Sequence, residues 1–382
     1  MTAIGGESSP SGAERFEWDV RAREIMRWIP VFGVDSLTWA EQSIRKMQDS
    51  IMKRETIPSR RMIMSEIIKR EGKEFTSSDD VLSFLGADRC RLVYRLVREK
   101  NVEGHGERAR VRAKGTPLFL LDYTRSKPYP IVYEYPDDSA YKSFTPLLSP
   151  DGTRILYNHS FDATDIMILP VEGSGPVKIG VGANPRWCLD NESGNTYVIY
   201  RERNAKYNSA PQDGITFRLQ IDENNKSIGE PEIVASYGFS GGMSTDGRYL
   251  CTAFLLASSM DRKTGAVSAP LGTVLQQPDC RNQCCCPSIA PDDTGRMMVL
   301  RWPHERFSVM GWDGSDMIHY PMPEGAAEWQ TPEWSTHPDF ATSSVMFSNE
   351  LIYDIMMINL STKEYLQITT DGGYVHAHLW IG

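Results

Sequence analysis

Long apolar runs are missing from this chain of 382 residues: no stretch approaches the roughly 18 consecutive apolar residues of a membrane-spanning helix. The segment Ile25–Phe32 is too short and too interrupted for a secretory signal core, and Met1–Ser11 is rich in Gly, Ser and Glu. A cytoplasmic chain is the expectation for the sequence as given, with an exported chain whose leader has been removed as the alternative. Positive charge is also short. Lys and Arg number 41 against 50 Asp and Glu, a net charge of −9, which disfavours binding nucleic acid through its phosphates. There is no Gly-rich phosphate loop, no Gly-x-Ser-x-Gly elbow and no His-Glu-x-x-His, so the commonest nucleotide, serine-hydrolase and zinc-protease chemistries have no anchor. The seven cysteines are odd in number and irregular in spacing, which argues against a disulfide framework. Four of them crowd Cys280–Cys286. On an extended strand only Cys284 and Cys286 of the last three would share a face, so buried thiols are expected, with a local disulfide or a metal site as alternatives.

What the chain does have is self-similarity. Thr145-Pro146-Leu147-Leu148, Asn184-Pro185-Arg186-Trp187, Ser240-Gly241-Gly242-Met243, Cys286-Pro287-Ser288-Ile289, Thr331-Pro332-Glu333-Trp334 and His376-Ala377-His378-Leu379 share one pattern. A small or polar residue is followed by Pro or another small one, a variable position and a large apolar residue. Their first residues lie 39, 56, 46, 45 and 45 positions apart. A period near 45 with alternating rather than helical patterning indicates propeller blades. Turns recur after the segments at Ser149-Pro150-Asp151-Gly152, Ser244-Thr245-Asp246-Gly247 and Ala290–Gly295, where the glycine supplies the positive φ of a tight hairpin. Degenerate copies stand at Leu189-Asp190 and at His337-Pro338-Asp339.

The sixth segment is followed by the end of the given sequence, so His376–Ile381 would be a single inner strand with an unpaired edge. Its simplest completion is a composite first blade made with Leu118–Tyr123, Ile131–Tyr135 and either Arg91–Leu96 or Arg108–Arg112. The expected fold is all-β: a six-bladed propeller over residues 88–382, closed by its C-terminal strand, behind a small helical segment over residues 1–87. In that segment helices are expected at Trp39–Arg54, through Ile44, Met47 and Ile51, at Met62–Arg70, and at Val81–Leu85 between the Ser77–Asp80 cap and Gly86.

The Ser-Pro-Asp-Gly-Thr-Arg turn at Ser149–Arg154, followed by a strand and by Asp165-Ile166-Met167, resembles the TolB-like, WD40-like propeller repeats. The resemblance runs from about Asp88 to Gly382. It implies blade architecture, and a family that includes partner-binding proteins, peptidase gating domains and sugar-acid lyases.

Function must therefore come from the aligned positions. Strand residues two apart share a face, so the repeats set two rings around the axis: Thr145, Asn184, Ser240, Cys286, Thr331 and His376, then Leu147, Arg186, Gly242, Ser288, Glu333 and His378. Arg186, Glu333, His376 and His378, with Asn184 and Thr331, are the candidate ligand-binding residues at one channel mouth. Two histidines at i and i+2 could hold one metal or flank one anion. Plainer roles stand beside these: an Arg186–Glu333 ion pair filling the channel, ordinary hydrogen bonds for the histidines, a turn role for His337, and a loop position for His304 and Glu305. The favoured expectation is a non-catalytic propeller that binds a protein or carbohydrate-like ligand, without cofactor. A faint similarity to oligogalacturonate lyases implies the alternative, a metal-assisted lyase or hydrolase on acidic sugars. There His376 and His378, with His337 or Glu333, would hold one divalent ion, and Arg186 would hold the substrate carboxylate.

Overall fold

The computed structural model describes residues 60–61, 67–96, 102–103, 110–111, 118–135, 146–158, 165–173, 175–201, 215–235, 241–251, 257–261, 266–267, 284–301, 303–312, 314–347, 353–370 and 372–382. The expected helix Trp39–Arg54, Thr145, Ser240 and Cys280 lie outside them.

Antiparallel sheets succeed one another along the chain as blades, each beginning at a repeat segment. Ala183–Leu189, Thr196–Arg201, Thr216–Ile221 and Ser227–Ala235 form one meander. Cys284–Ile289, Met297–Arg301, Arg306–Met310 and Ile318–Pro321 form another. Glu328–Trp334, Phe340–Met346, Tyr353–Asn359 and Tyr365–Gln367 form a third. The blade of Leu147–Leu148, Arg154–Asn158, Asp165–Pro170 and Val177–Val181 takes Arg60–Arg61 as a fifth, outermost strand.

Closure uses the expected composite. Tyr374–Ile381 pairs with Arg89–Leu96, which pairs with Leu118–Thr124 and, through it, with Ile131–Tyr135. Of the two candidates for the missing strand, the chain uses the first, while Arg110–Val111 pairs only with Val102–Glu103.

Two expectations are corrected. Five complete blades are described, against the six expected. At the third repeat the described residues give only the three-stranded sheet Tyr249–Cys251, Ala257–Asp261 and Ala266–Val267. Its inner edge is reduced to a bridge from Met243 to Leu250, with Gly241 N–H donating to Cys251 O at 2.8 Å. Gly241 and Gly242 favour strand poorly, and Gly242 has φ 97°. The second correction is at the end of Met62–Arg70, expected to be helical: residues 62–66 lie outside the described residues, and Ile68–Glu71 is a strand on the outer edge of Ile131–Tyr135. Pairing an open sheet edge outweighs the weak helical pattern of so short a segment.

The helix Ser78–Leu85 does form, with Ser77 Oγ accepting from Asp80 N–H at 3.2 Å and Gly86 ending it at φ 64°. It buries Val81, Leu82 and Leu85 against Leu92, Tyr94 and Phe119 of the composite blade. Among the described residues no helix is long and apolar enough to cross a membrane.

The Asp-Gly turns hold the inner hairpins. Ser149 Oγ donates to Asp151 Oδ1 and accepts from Arg154 N–H at 3.0 Å, and Asp151 Oδ1 also accepts from Thr153 N–H at 3.0 Å. Ser244, Asp246 and Tyr249 repeat the arrangement. Gly152 is required twice over: its φ is 70°, and a Cβ there would lie 2.4 Å from the Trp380 ring of the closing strand.

Candidate functional site

Four inner strands carry a residue in left-handed backbone at the first position of the repeat segment: Asn184 (φ 52°), Cys286 (φ 50°), Thr331 (φ 47°) and His376 (φ 54°). A register shift accompanies each, between Ala183 and Arg186, Cys285 and Ser288, Gln330 and Glu333, and Val375 and His378. These are β-bulges, each inserting one residue and re-aiming the side chains beyond it. They break the rule that residues two apart share a face, and so separate the two rings. They also remove the argument for Cys284 and Cys286 as a pair.

The second ring comes together completely. Leu147, Arg186, Gly242, Ser288, Glu333 and His378 all line one cavity of about 270 Å³ that runs along the inner strands to the hairpin turns. Asn184, Thr331 and His376 do not line it. They stay at the strand starts, where Asn184 Oδ1, Thr331 Oγ1 and His376 Nδ1 are buried.

Arg186 and Glu333 stand three repeats apart, yet they meet: Arg186 Nη1 donates to Glu333 Oε2. Glycine at the third repeat makes room, since even a Cβ on Gly242 would touch the Arg186 stem at 3.6 Å. Ser288 Oγ donates to Glu333 Oε1 and accepts from Trp334 N–H at 3.1 Å, so both carboxylate oxygens are engaged. Arg186 Nη2 also reaches Pro287 O at 3.4 Å. Cys251 lies in the field of both charges, and burial pushes its thiol up to about 12, which keeps it protonated and unreactive at neutral pH.

His378 is buried and neutral. Leu148 N–H donates to its Nδ1 at 3.0 Å, which leaves the ring proton on Nε2. Burial, helped by Arg186, lowers its pKa to about 3, and burial with Arg95 lowers His376 likewise to about 3. In the unfolded chain both titrate near 6.5. The unfolded state therefore binds more protons between these values, so the stabilisation is complete above pH 6.5 and is lost as pH falls toward 3. Denaturation midpoints should fall over that window, and His378→Gln, which keeps an acceptor for Leu148 N–H, should flatten the dependence; an unchanged pH profile would contradict the neutral buried ring.

Of the candidate metal ligands, His378 and Glu333 line the cavity, whereas His376 and His337 do not. His337 belongs to its turn, with Nδ1 accepting from Asp339 N–H at 3.2 Å and the ring packed on Phe340. His376 and His378 are parted by the bulge. Among the described residues no group of three His, Cys, Asp or Glu side chains is placed to hold a metal ion. His304 pairs with Glu328 at 2.8 Å, outside the cavity lining. Of the cysteines in the described residues, Cys90, Cys188 and Cys251 are buried thiols and Cys286 is a half-buried one.

The cavity walls come from the large apolar fourth position of the repeats, including Trp187 and Trp334, which the sequence reading did not count among the candidate site residues. Trp187 Nε1 donates to Leu147 O at 3.0 Å and Trp334 Nε1 to Pro338 O at 3.0 Å. Arg154 covers the first ring and Arg296 the second, at 5.0 and 5.4 Å. These contacts fix both rings as walls beside Met243 and Ile289.

No family model matches the sequence, and no curated protein is similar to it by sequence. Solved structures do match its shape. TolB from Acinetobacter baumannii gives a TM-score of 0.50 at 10% identity, over 79% of this chain and 70% of that one. Hydrazine synthase of Kuenenia stuttgartiensis gives 0.49 at 11%, over 77% of this chain and 46% of that one. A TolB-like protein from Agrobacterium tumefaciens gives 0.44 at 12%, over 77% and 98%. At such identities the likeness speaks to architecture alone, and the chain has the all-β, TolB-like propeller fold.

Proposed function

We propose that the chain is a non-catalytic propeller that binds a protein or carbohydrate-like ligand in the cavity at the turn end of its inner strands. One observation carries this reading: residues from all six repeats, including the third, line a single cavity. At about 270 Å³ it lies just below the ~300–1,000 Å³ of small-molecule pockets, so it suits one side chain, one chain end or one sugar unit of a larger ligand. Binding is preferred to metal-assisted cleavage of acidic sugars. Of the two histidines that would share an ion only His378 lines the cavity, and the guanidinium that would take a substrate carboxylate is held by Glu333.

Protein labelled with 5-fluorotryptophan tests the proposal. Titration with a panel of short peptides and mono- and disaccharides should shift the Trp187 and Trp334 resonances first, because their rings form the cavity walls. A panel that moves neither, or that moves only tryptophans remote from the cavity such as Trp312, would count against it.

A further inference from the structure

We infer that the cavity selects an uncharged, apolar-bodied group bearing one hydrogen-bond acceptor, and rejects both carboxylates and ammonium groups. The inference rests on the binding reading above and specifies the ligand's chemistry.

Arg186 and Glu333 are the cavity's two charges, and each is spent on the other. The carboxylate is the more enclosed, its side chain 6% exposed against 15% for the guanidinium. Ser288 occupies its second oxygen. An entering carboxylate must therefore draw Arg186 away, leaving an enclosed negative charge behind, or sit beside Glu333 as a second one. An entering ammonium faces the mirror problem with Arg186. Desolvating a charge without a free counter-charge is costly, whereas a neutral group disturbs neither partner. His378 supplies what such a group needs: its Nδ1 is used by Leu148, so it offers a single N–H donor from Nε2. Around it Leu147, Met243, Ile289, Trp187 and Trp334 give the apolar walls that would cover the ligand's body.

Three probes of one shape decide the matter: indole-3-acetamide, indole-3-acetate and tryptamine, titrated at pH 7.5 by ligand-observed NMR. Wild-type protein should bind the acetamide at least about tenfold more tightly than either charged probe. Glu333→Gln, which leaves the Arg186 charge without a counter-charge, should reverse the order in favour of the acetate. Should that variant not fold, the uncharged pair Arg186→Gln with Glu333→Gln should keep acetamide binding and bring the acetate to within about threefold. Acetate binding equal to acetamide in the wild type, or an unaltered preference in these variants, would overturn the inference while leaving the cavity as a ligand site. Binding of none of the three by wild-type protein would overturn the cavity reading and the inference together.

Discussion

Removal of residues 375–382 should abolish cooperative unfolding altogether. Tyr374–Ile381 is the inner strand of the composite blade, and its loss strips Arg89–Leu96 of one whole partner. It also ties in both neighbours. Thr336 N–H donates to Leu379 O at 2.9 Å and Ile381 N–H to Thr336 Oγ1 at 3.1 Å on one side. On the other, Trp380 Nε1 donates to Pro150 O at 2.9 Å and Leu148 N–H to His378. Ala377 and Leu379 are buried in the cluster that holds the helix Ser78–Leu85. Opening so many backbone groups and so much apolar surface should cost as much as the ~5–15 kcal/mol by which a domain is usually stable. Calorimetry of the truncated protein should show no sharp transition; a cooperative melt near the full-length temperature would mean that the ring does not close through this strand.

Much of this was legible because repeats convert sequence register into position. Aligning Arg186 with Glu333 and His378 was enough to bring them to one cavity, and the Asp-Gly turns at Asp151 and Asp246 marked the hairpins correctly. The bulges were not legible. Asn184 and His376 are types that visit left-handed backbone more often than most, but Cys286 and Thr331 are not, so the four positions share no readable signal, yet it is this conformation that holds the first ring off the cavity. Ile68–Glu71 was missed for another reason. Four residues carry too little pattern to tell strand from helix, and the deciding factor is the open edge of Ile131–Tyr135, more than sixty residues downstream. The reduced inner edge at the third repeat was not foreseen either, although Gly241-Gly242 favours strand poorly.

The second large effect belongs to the charges that cross the channel. Arg186→Met should destabilise the protein by about 3–5 kcal/mol, because it leaves the enclosed Glu333 carboxylate with Ser288 but without its guanidinium. Glu333→Gln should cost less. Glutamine keeps one oxygen for Arg186 and an amide N–H that Ser288 Oγ can accept, and the guanidinium charge left without a counter-charge is on the more exposed partner. Replacing both by apolar residues, Arg186→Met with Glu333→Leu, should recover much of the single-variant loss, since the penalty lies in the orphaned charge rather than in the absence of the pair. The most direct measurement is accordingly the double-mutant cycle through Arg186→Met and Glu333→Leu, read from chemical denaturation. A coupling of about 1.5 kcal/mol or more is the expected result. Effects that add to within ~0.5 kcal/mol would place the two side chains apart, and with them would go the cavity floor on which the proposed binding site is built.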